Sequence, residues 1–502
     1  MRAAAYLLYR TRNSPSALNS RYHLGTLRHA CVSFRGYTMY FEQFYLGCLA
    51  HASYMLGSAG QAAVVDPQRD VDLYLKAAEE QGLKITHIFE THLHADFVSG
   101  HVELARRTGA KIYISEKAEA AFPHEPLREG SEITLGKVRI RALETPGHTP
   151  ESMCLAVIDE ERSSQPWAVL TGDTLFIGDV GRPDLAKSHT PEQLAGLLYD
   201  SLHGKLLQLA NTVVVYPAHG AGSLCGRNMR AERSSTIGTE RLSNYALQIN
   251  PRDEFIRQMT ENLPARPDYF FQDAQINRIG ASALAELPDL PPVSPQQLKA
   301  LLDQGVFALD VRPNSDFAAA HVPGSVNIAL AGQFASWAGS IIGLNGRPVL
   351  IADTPEQYEE ARMRLARVGL EDPQGFLQGG VAAWKQAGFA LAQLPQLTPE
   401  ELHDRLHNND LQLLDVRREP EWQAGHIAGA EWFPLDRFNV SAPEIDPAAP
   451  LAVQCQGGYR SMIACSLLRR AGVENVINVS GGFDAWRKAG LPIEKPELAH
   501  KV

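Results

Sequence analysis

The chain has 502 residues, 44% of them hydrophobic and 21% charged, with a formal net charge of −10. That length exceeds one ordinary core and points to about three domains. The acidic balance argues against a nucleic-acid partner, and no apolar run approaches the roughly 20 residues of a membrane span.

In chain order, residues 1–38 come first. No Asp or Glu precedes Glu42, whereas Arg2, Arg10, Arg12, Arg21, Arg28 and Arg35 do. Such a segment reads either as a mitochondrial transit peptide, which implies the matrix, or as an over-extended start with Met39 initiating. Both readings place it outside the fold. The six cysteines (Cys31, Cys48, Cys154, Cys225, Cys455 and Cys465) are scattered and form no CxxC. That fits a reducing compartment, such as the cytoplasm, rather than a disulfide framework.

Residues 39–285 alternate strand-like runs with helical patterns such as "VDLYLKAAEEQGL". The runs are "AAVVDP", "ITHIFETH", "KIYIS", "VRIRALETPGH", "WAVLTGDTLF" and "TVVVYPAHG". Most end in a turn bearing a polar residue: His92, His94 and Asp96 in "THLHADFVSGH", His148 in "TPGHTPES", Asp173 in "TGDTLF" and His219 in "YPAHG". Groups at strand ends can meet at one edge of a sheet.

Past the Pro-rich "ELPDLPPVSP" (286–295), the chain repeats itself. "LDVRPNSDFAAAHVPGSVNI" (309–328) returns as "LDVRREPEWQAGHIAGAEWF" (414–433), and "LQGGVAAWKQAGFAL" (377–391) as "VSGGFDAWRKAGLPI" (479–493). An offset of about one hundred residues is domain size, not solenoid size. Residues 293–393 and 397–497 are therefore two copies of one α/β domain with a mostly parallel sheet. The whole is an α/β multidomain chain.

In the second copy the strand "LAVQ" runs into "CQGGYRS" and then a helix. Cys455 opens a short loop of Gln456, Gly457, Gly458, Tyr459 and Arg460, followed by Ser461. Backbone N–H groups of such a loop form an anion nest. The helix dipole and Arg460 favour the reactive thiolate. In the first copy the matching segment is "VLIADTPEQYEEA". Asp353 stands there in place of the cysteine, without the glycines or the arginine, so this copy is expected to be inactive.

The N-terminal pattern of HxHxD, then His, Asp and His, resembles the metallo-β-lactamase superfamily, which implies an αβ/βα sandwich. A binuclear member needs a second-metal histidine directly after the Asp. Here Phe97 stands in that position, which argues for one metal. His92, His148 and Asp173 would offer two imidazoles and a carboxylate. Such a set suits non-heme Fe(II), with open positions for a thiolate and O2 side by side. His94, Asp96 and His219 would then orient ligands or substrate. The competing set is zinc on His92, His94 and His148 with an activated water.

Taken with "TGDTLFIGDVGRPDL" and "YPAHGAGSLCG", the segments resemble the persulfide dioxygenase branch, and within it persulfide dioxygenase–rhodanese fusion proteins. The CQGGYR loop, with "LDVR", "GHIAGA" and "GGFDAW", resembles the rhodanese active-site pattern CxxGxR. These resemblances imply one Fe(II) on His92, His148 and Asp173, O2 as co-substrate, and a low-molecular-weight thiol persulfide such as that of glutathione or coenzyme A. They also imply a persulfide on Cys455 exchanged with sulfite or thiosulfate, in sulfide detoxification. Arg182 would steer an anion, or else pair with Asp184. Cys225, whose Gly-rich setting predicts an accessible thiol, and Cys48 are candidate sulfur relays. A homo-oligomer is expected from the unpaired inactive copy. Two other readings stay open: a zinc thioester hydrolase of glyoxalase II type with an accessory rhodanese, and a non-enzymatic sulfur-relay scaffold.

Overall fold

The structure, a computed structural model, describes residues 39–263, 265–446 and 448–495. The two readings of residues 1–38, and Cys31, fall outside the described residues.

The N-terminal part is a four-layer αβ/βα sandwich. One sheet runs in the order Tyr40–Leu46, His51–Ser58, Gln61–Val65, Lys84–Phe89, Lys111–Ser115 and Glu125–Leu127. Its first three strands form antiparallel pairs and the rest pair in parallel. The other sheet runs Ser235–Thr236, Val214–Pro217, Ala168–Gly172, Met153–Asp159, Val138–Glu144 and Glu132–Leu135. Between the sheets lie Tyr54, Leu56, Val65, Phe89, Ile140, Leu155 and Leu170, all buried. Helices Asp72–Glu80 and His101–Thr108 cover one outer face, packing Tyr74, Ala77 and Leu104 against it. Pro191–Gly204 and Arg252–Thr260 cover the other, through Leu194, Leu198, Leu202 and Phe255.

Sequence patterning found the strands that carry polar ends. It passed over the hairpin strands Tyr40–Leu46 and His51–Ser58. The second of these is buried on both faces, so the two-residue alternation that would mark it is absent.

The two repeated domains share one topology. The first has a parallel sheet ordered Pro292–Val293, Gly375–Leu377, Val349–Ile351, Ala308–Asp310, Val326–Asn327. The second repeats it with Gln396–Leu397, Val476–Val479, Leu451–Gln454, Gln412–Asp415, Glu431–Trp432. In each, the repeated LDVR places a buried arginine on its own aspartate. Arg312 and Arg417 both reach the Asp310 and Asp415 carboxylates at 2.7 Å. They also donate to Ala320 O and Gly425 O at 2.9 Å, tying strand to following turn.

The three bodies meet in one apolar cluster. Phe97, Phe176, Cys225 and Tyr269 from the first pack with Phe334, Trp337 and Leu350 from the second, and with Cys455 and Met462 from the third. Among the described residues no helix is long and apolar enough to cross a membrane.

Candidate metal centre and persulfide loop

Three strand ends of the sandwich deliver a buried trio. His92 follows Lys84–Phe89, His148 follows Val138–Glu144, and Asp173 follows Ala168–Gly172. His148 Nε2 and His92 Nε2 lie 3.4 and 3.9 Å from Asp173 Oδ2. All three atoms are buried and lack a hydrogen-bond partner. Convergent orphan donors are what a metal ion satisfies, since leaving them unpaired costs several kcal/mol, roughly 1–3 each.

The outer nitrogens are fixed. His148 Nδ1 donates to Arg182 O at 3.0 Å, which leaves Nε2 with its lone pair facing the trio. His92 Nδ1 lies 3.0 Å from Thr91 Oγ1, which donates to Asp66 Oδ2 at 2.9 Å. Gly181 permits the crossing of this loop: a Cβ there would come within 2.0 Å of Asp173 O and 2.9 Å of His148 Nδ1.

Protonation fits the same use. Burial, and then the neighbouring His94, push His92 well below the ordinary histidine range, and burial lowers His148. Burial alone would raise Asp173. His219, His148 and His92 outweigh it and hold the carboxyl well below the usual carboxylate range. Two neutral imidazoles and a carboxylate are the ligand forms a divalent ion takes.

His219 plays another part. Its Nδ1 donates to Asp173 Oδ1 at 2.8 Å, and its Nε2 sits 2.9 Å from Asp96 Oδ2. Burial opposes a charge there, but Asp173 and Asp96 prevail and keep the imidazole protonated, well above the ordinary range. Asp96, His219 and Cys225 form a second donor-type group, in which both His219 nitrogens already face carboxylates. Phe97 fills the space beside it, its ring 4.1 Å from His51 and 4.4 Å from His94.

His94 turns away from the trio. Its Nε2 lies 3.2 Å from Asp66 Oδ1 and 3.8 Å from Glu90 Oε2. This disfavours the zinc set that includes it. Burial and then Asp66 push Glu90 well above the usual range. Asp66, Glu90 and His51 were not singled out from sequence. Asp66 closes "AAVVDP" as a strand-end acid, and that was a usable signal.

Asn277 gave no signal. It reaches back from helix Phe270–Ile279 to donate to His94 O at 2.7 Å and Phe97 O at 2.8 Å. Side-chain capping of a loop by a distant helix has no local pattern.

The Arg182 guanidinium is engaged by Asp184 (2.6 and 2.9 Å) and by Leu224 O. What touches the trio is its backbone carbonyl. Cys225 is buried, not accessible: the turn after His219 folds it inward, where burial and then Asp96 push its thiol well above the ordinary range. Cys48 is half-buried with Arg367 Nη1 3.6 Å from its sulfur. Cys154, pushed up to about 11 by burial, lies inside the sandwich.

The second centre follows strand Leu451–Gln454. Cys455 Sγ accepts from Gly458 N at 3.1 Å and lies 3.5 Å from Ser461 Oγ. Gly458 takes φ of 92° at the start of helix Tyr459–Arg470, with no side chain capping that helix. Its first N–H groups are left to serve the loop. Arg460 is held bidentate by Glu421 at 2.5 and 2.6 Å. Tyr459 OH donates to Ala329 O of the first copy at 2.8 Å, and Asn314 of that copy donates to Gly458 O at 3.2 Å.

Comparison with known proteins agrees with this architecture. The metallo-beta-lactamase superfamily model matches residues 46–219, and the rhodanese-like domain model matches 294–387 and 398–489. A solved metallo-beta-lactamase from Staphylococcus aureus subsp. aureus COL is 30% identical, with a TM-score of 0.61, covering 68% of this chain and 98% of that one. Glyoxylase B2 of Dictyostelium discoideum is 31% identical over 38% of this chain and 68% of its own length. Persulfide dioxygenase ETHE1 of Bos taurus is 28% identical over 42% of this chain and 77% of its own. The chain belongs to the metallo-beta-lactamase superfamily. More particularly, it is a fusion in which a domain similar to persulfide dioxygenases precedes two rhodanese-like domains.

Proposed function

We propose that the chain is an iron-dependent persulfide dioxygenase joined to a thiosulfate-type sulfurtransferase. The observation that carries this is the trio itself. His92 Nε2, His148 Nε2 and Asp173 Oδ2 converge, buried and unpartnered, while both His219 nitrogens face carboxylates, Asp173 and Asp96. That supports one ion on a two-histidine, one-carboxylate face, a donor set suited to non-heme Fe(II). The similarity to persulfide dioxygenase ETHE1 supports the same reading.

Bound iron would supply open positions for the terminal sulfur of a persulfide and for O2. The protein's own groups do the rest. The Arg182 carbonyl fixes the His148 tautomer. His219 holds Asp173 in place and supplies positive charge next to an anionic substrate. The buried wall excludes bulk water. The balance is R–S–S⁻ + O2 + H2O → R–SH + SO3²⁻ + H⁺. At the second centre, Cys455 carrying a sulfane sulfur would give it to sulfite: Cys–S–SH + SO3²⁻ → Cys–SH + S2O3²⁻. The first rhodanese-like copy, with Asp353 in place of the cysteine, carries no sulfur. Fusion raises the local sulfite concentration at Cys455.

The test is metal analysis with O2 uptake on glutathione persulfide. About one iron per chain and O2 uptake abolished by His148→Ala are expected. Zinc content, with S-lactoylglutathione hydrolysis and no O2 uptake after iron reconstitution, would overturn the reading in favour of the glyoxalase-type alternative.

A further inference from the structure

All three domains wall one cavity that no single domain could form. It holds about 100 Å³ of enclosed space and opens to solvent at its mouth. Its wall includes Ser223 and Asp96, the carboxylate 2.9 Å from His219 Nε2 and so next to the trio. Ser336 and Trp337 of the first rhodanese-like copy also line it. Arg418 and Asp436 of the second copy complete the lining.

Arg418 is the anomaly in this wall. Its Nε is buried without a partner, and among the described residues its side chain makes no hydrogen bond or ion pair. Its guanidinium lies 5.7 Å from the Trp337 ring. Of the other two arginines of the wall, Arg266 donates to Asp184 O at 2.6 Å and lies over Phe271 at 4.0 Å, and Arg437 lies over Trp432 at 5.2 Å. Burial, and then the like charge of Arg460, hold Arg418 below the usual arginine range, despite Asp436 and Glu421. A half-buried guanidinium that faces an aromatic ring, with its Nε buried and unpaired, can receive an anion. The first copy has Pro313 at the matching place after LDVR, so this feature belongs to the second copy alone.

We propose that this junction is where the persulfide's carrier docks: Arg418 takes a carboxylate of a small thiol, and the sulfur end points towards Asp96 and the His92–His148–Asp173 trio. The substrate site of the first domain is then completed by a residue of the third, about 250 residues further along the chain. The inference rests on the persulfide reading and adds to it the class of carrier, a carboxylate-bearing thiol.

Full-length Arg418→Gln should raise KM for glutathione persulfide in O2 uptake by about tenfold, the size of one charge-assisted hydrogen bond, with kcat little moved. The rise should be larger than for the persulfide of 2-mercaptoethanol, which has no carboxylate. Arg418→Lys should recover part of the loss, which a misfolded variant would not. Equal rises for both persulfides would overturn the proposal. So would a change confined to thiosulfate-to-cyanide transfer, which would assign Arg418 to the sulfurtransferase site alone. If the unaltered chain takes up no O2 with any persulfide, the dioxygenase reading fails. The docking proposal is then decided by calorimetric binding of reduced glutathione. Binding weakened about tenfold by Arg418→Gln supports it; equal binding, or none, overturns it.

Discussion

The two rhodanese-like copies have the same sheet, the same buried Asp–Arg pair and opposite helix starts. In the first copy, Thr354 caps helix Pro355–Ala366: its Oγ1 accepts from Gln357 N, and Gln357 Oε1 accepts from Thr354 N and Asp353 N. The helix N-terminus is satisfied by its own side chains. In the second copy Gly458 begins the helix with no side-chain cap, so the same end of the same helix is open to an anion. The difference teaches that the first copy departs from the second by more than the absence of a thiol. The capping box has taken over the backbone donors that an anion would use.

The largest expected effects test that point. Cys455→Ser should reduce thiosulfate-to-cyanide transfer by at least a thousandfold and leave persulfide-dependent O2 uptake in place. The reciprocal change, Asp353→Cys, should give no transfer, because the capped helix offers no cradle. Measurable transfer from Asp353→Cys in a Cys455→Ser background would break the comparison, by showing that the thiol alone is sufficient.

A second contrast concerns what the first copy does instead. It touches both centres. Val98 N, at the end of the HxHxD loop, donates to Arg367 O at 2.8 Å, and the buried Arg367 side chain pairs with Asp70 at 3.0 Å. Arg69 pairs with Glu371 at 2.6 Å. On the other side, Asn314 and Ala329 brace Gly458 and Tyr459. Arg367→Ala leaves a half-buried Asp70 without its charge partner, at a cost of about 1–3 kcal/mol. It should lower the unfolding midpoint and speed metal loss to a chelator. If stability falls but the rate of metal loss is unchanged, the first copy steadies the fold without steadying the metal loop.

These contacts show where sequence reasoning reaches and where it stops. The trio was legible because three strand ends carry His92, His148 and Asp173 in a spaced order, and strand ends meet by topology. The Cys455 loop was legible because it is contiguous. Asn277, Arg367 and Arg418 were not, since each acts on a loop far away in the chain and no local period marks it. Cys225 misled for a related reason. Its Gly-rich neighbours suggested exposure, yet the turn after His219 folds it into the shared core, and burial depends on what packs from the other domains.

The smallest effect is a pH slope. In the first copy His321 is 3% exposed, stacks on Phe317 at 3.9 Å and bonds Phe317 O through Nδ1. Burial pushes it down to about 4. Its folded value lies below the unfolded value of about 6.5. Between those two values the unfolded chain binds more protons, so stability rises with pH there. The contribution is full above about 6.5 and is lost as pH falls towards 4. Relative to His321→Asn, the unaltered chain should lose about 1.4 kcal/mol more per pH unit across that window, read from urea midpoints at pH 5 and pH 7. The matching His426 is only partly buried and bonds Trp422 O at a longer 3.3 Å. His426→Asn therefore measures the same position without full burial. Equal slopes from the two variants would mean that the tighter packing of the first copy does not govern its acid sensitivity.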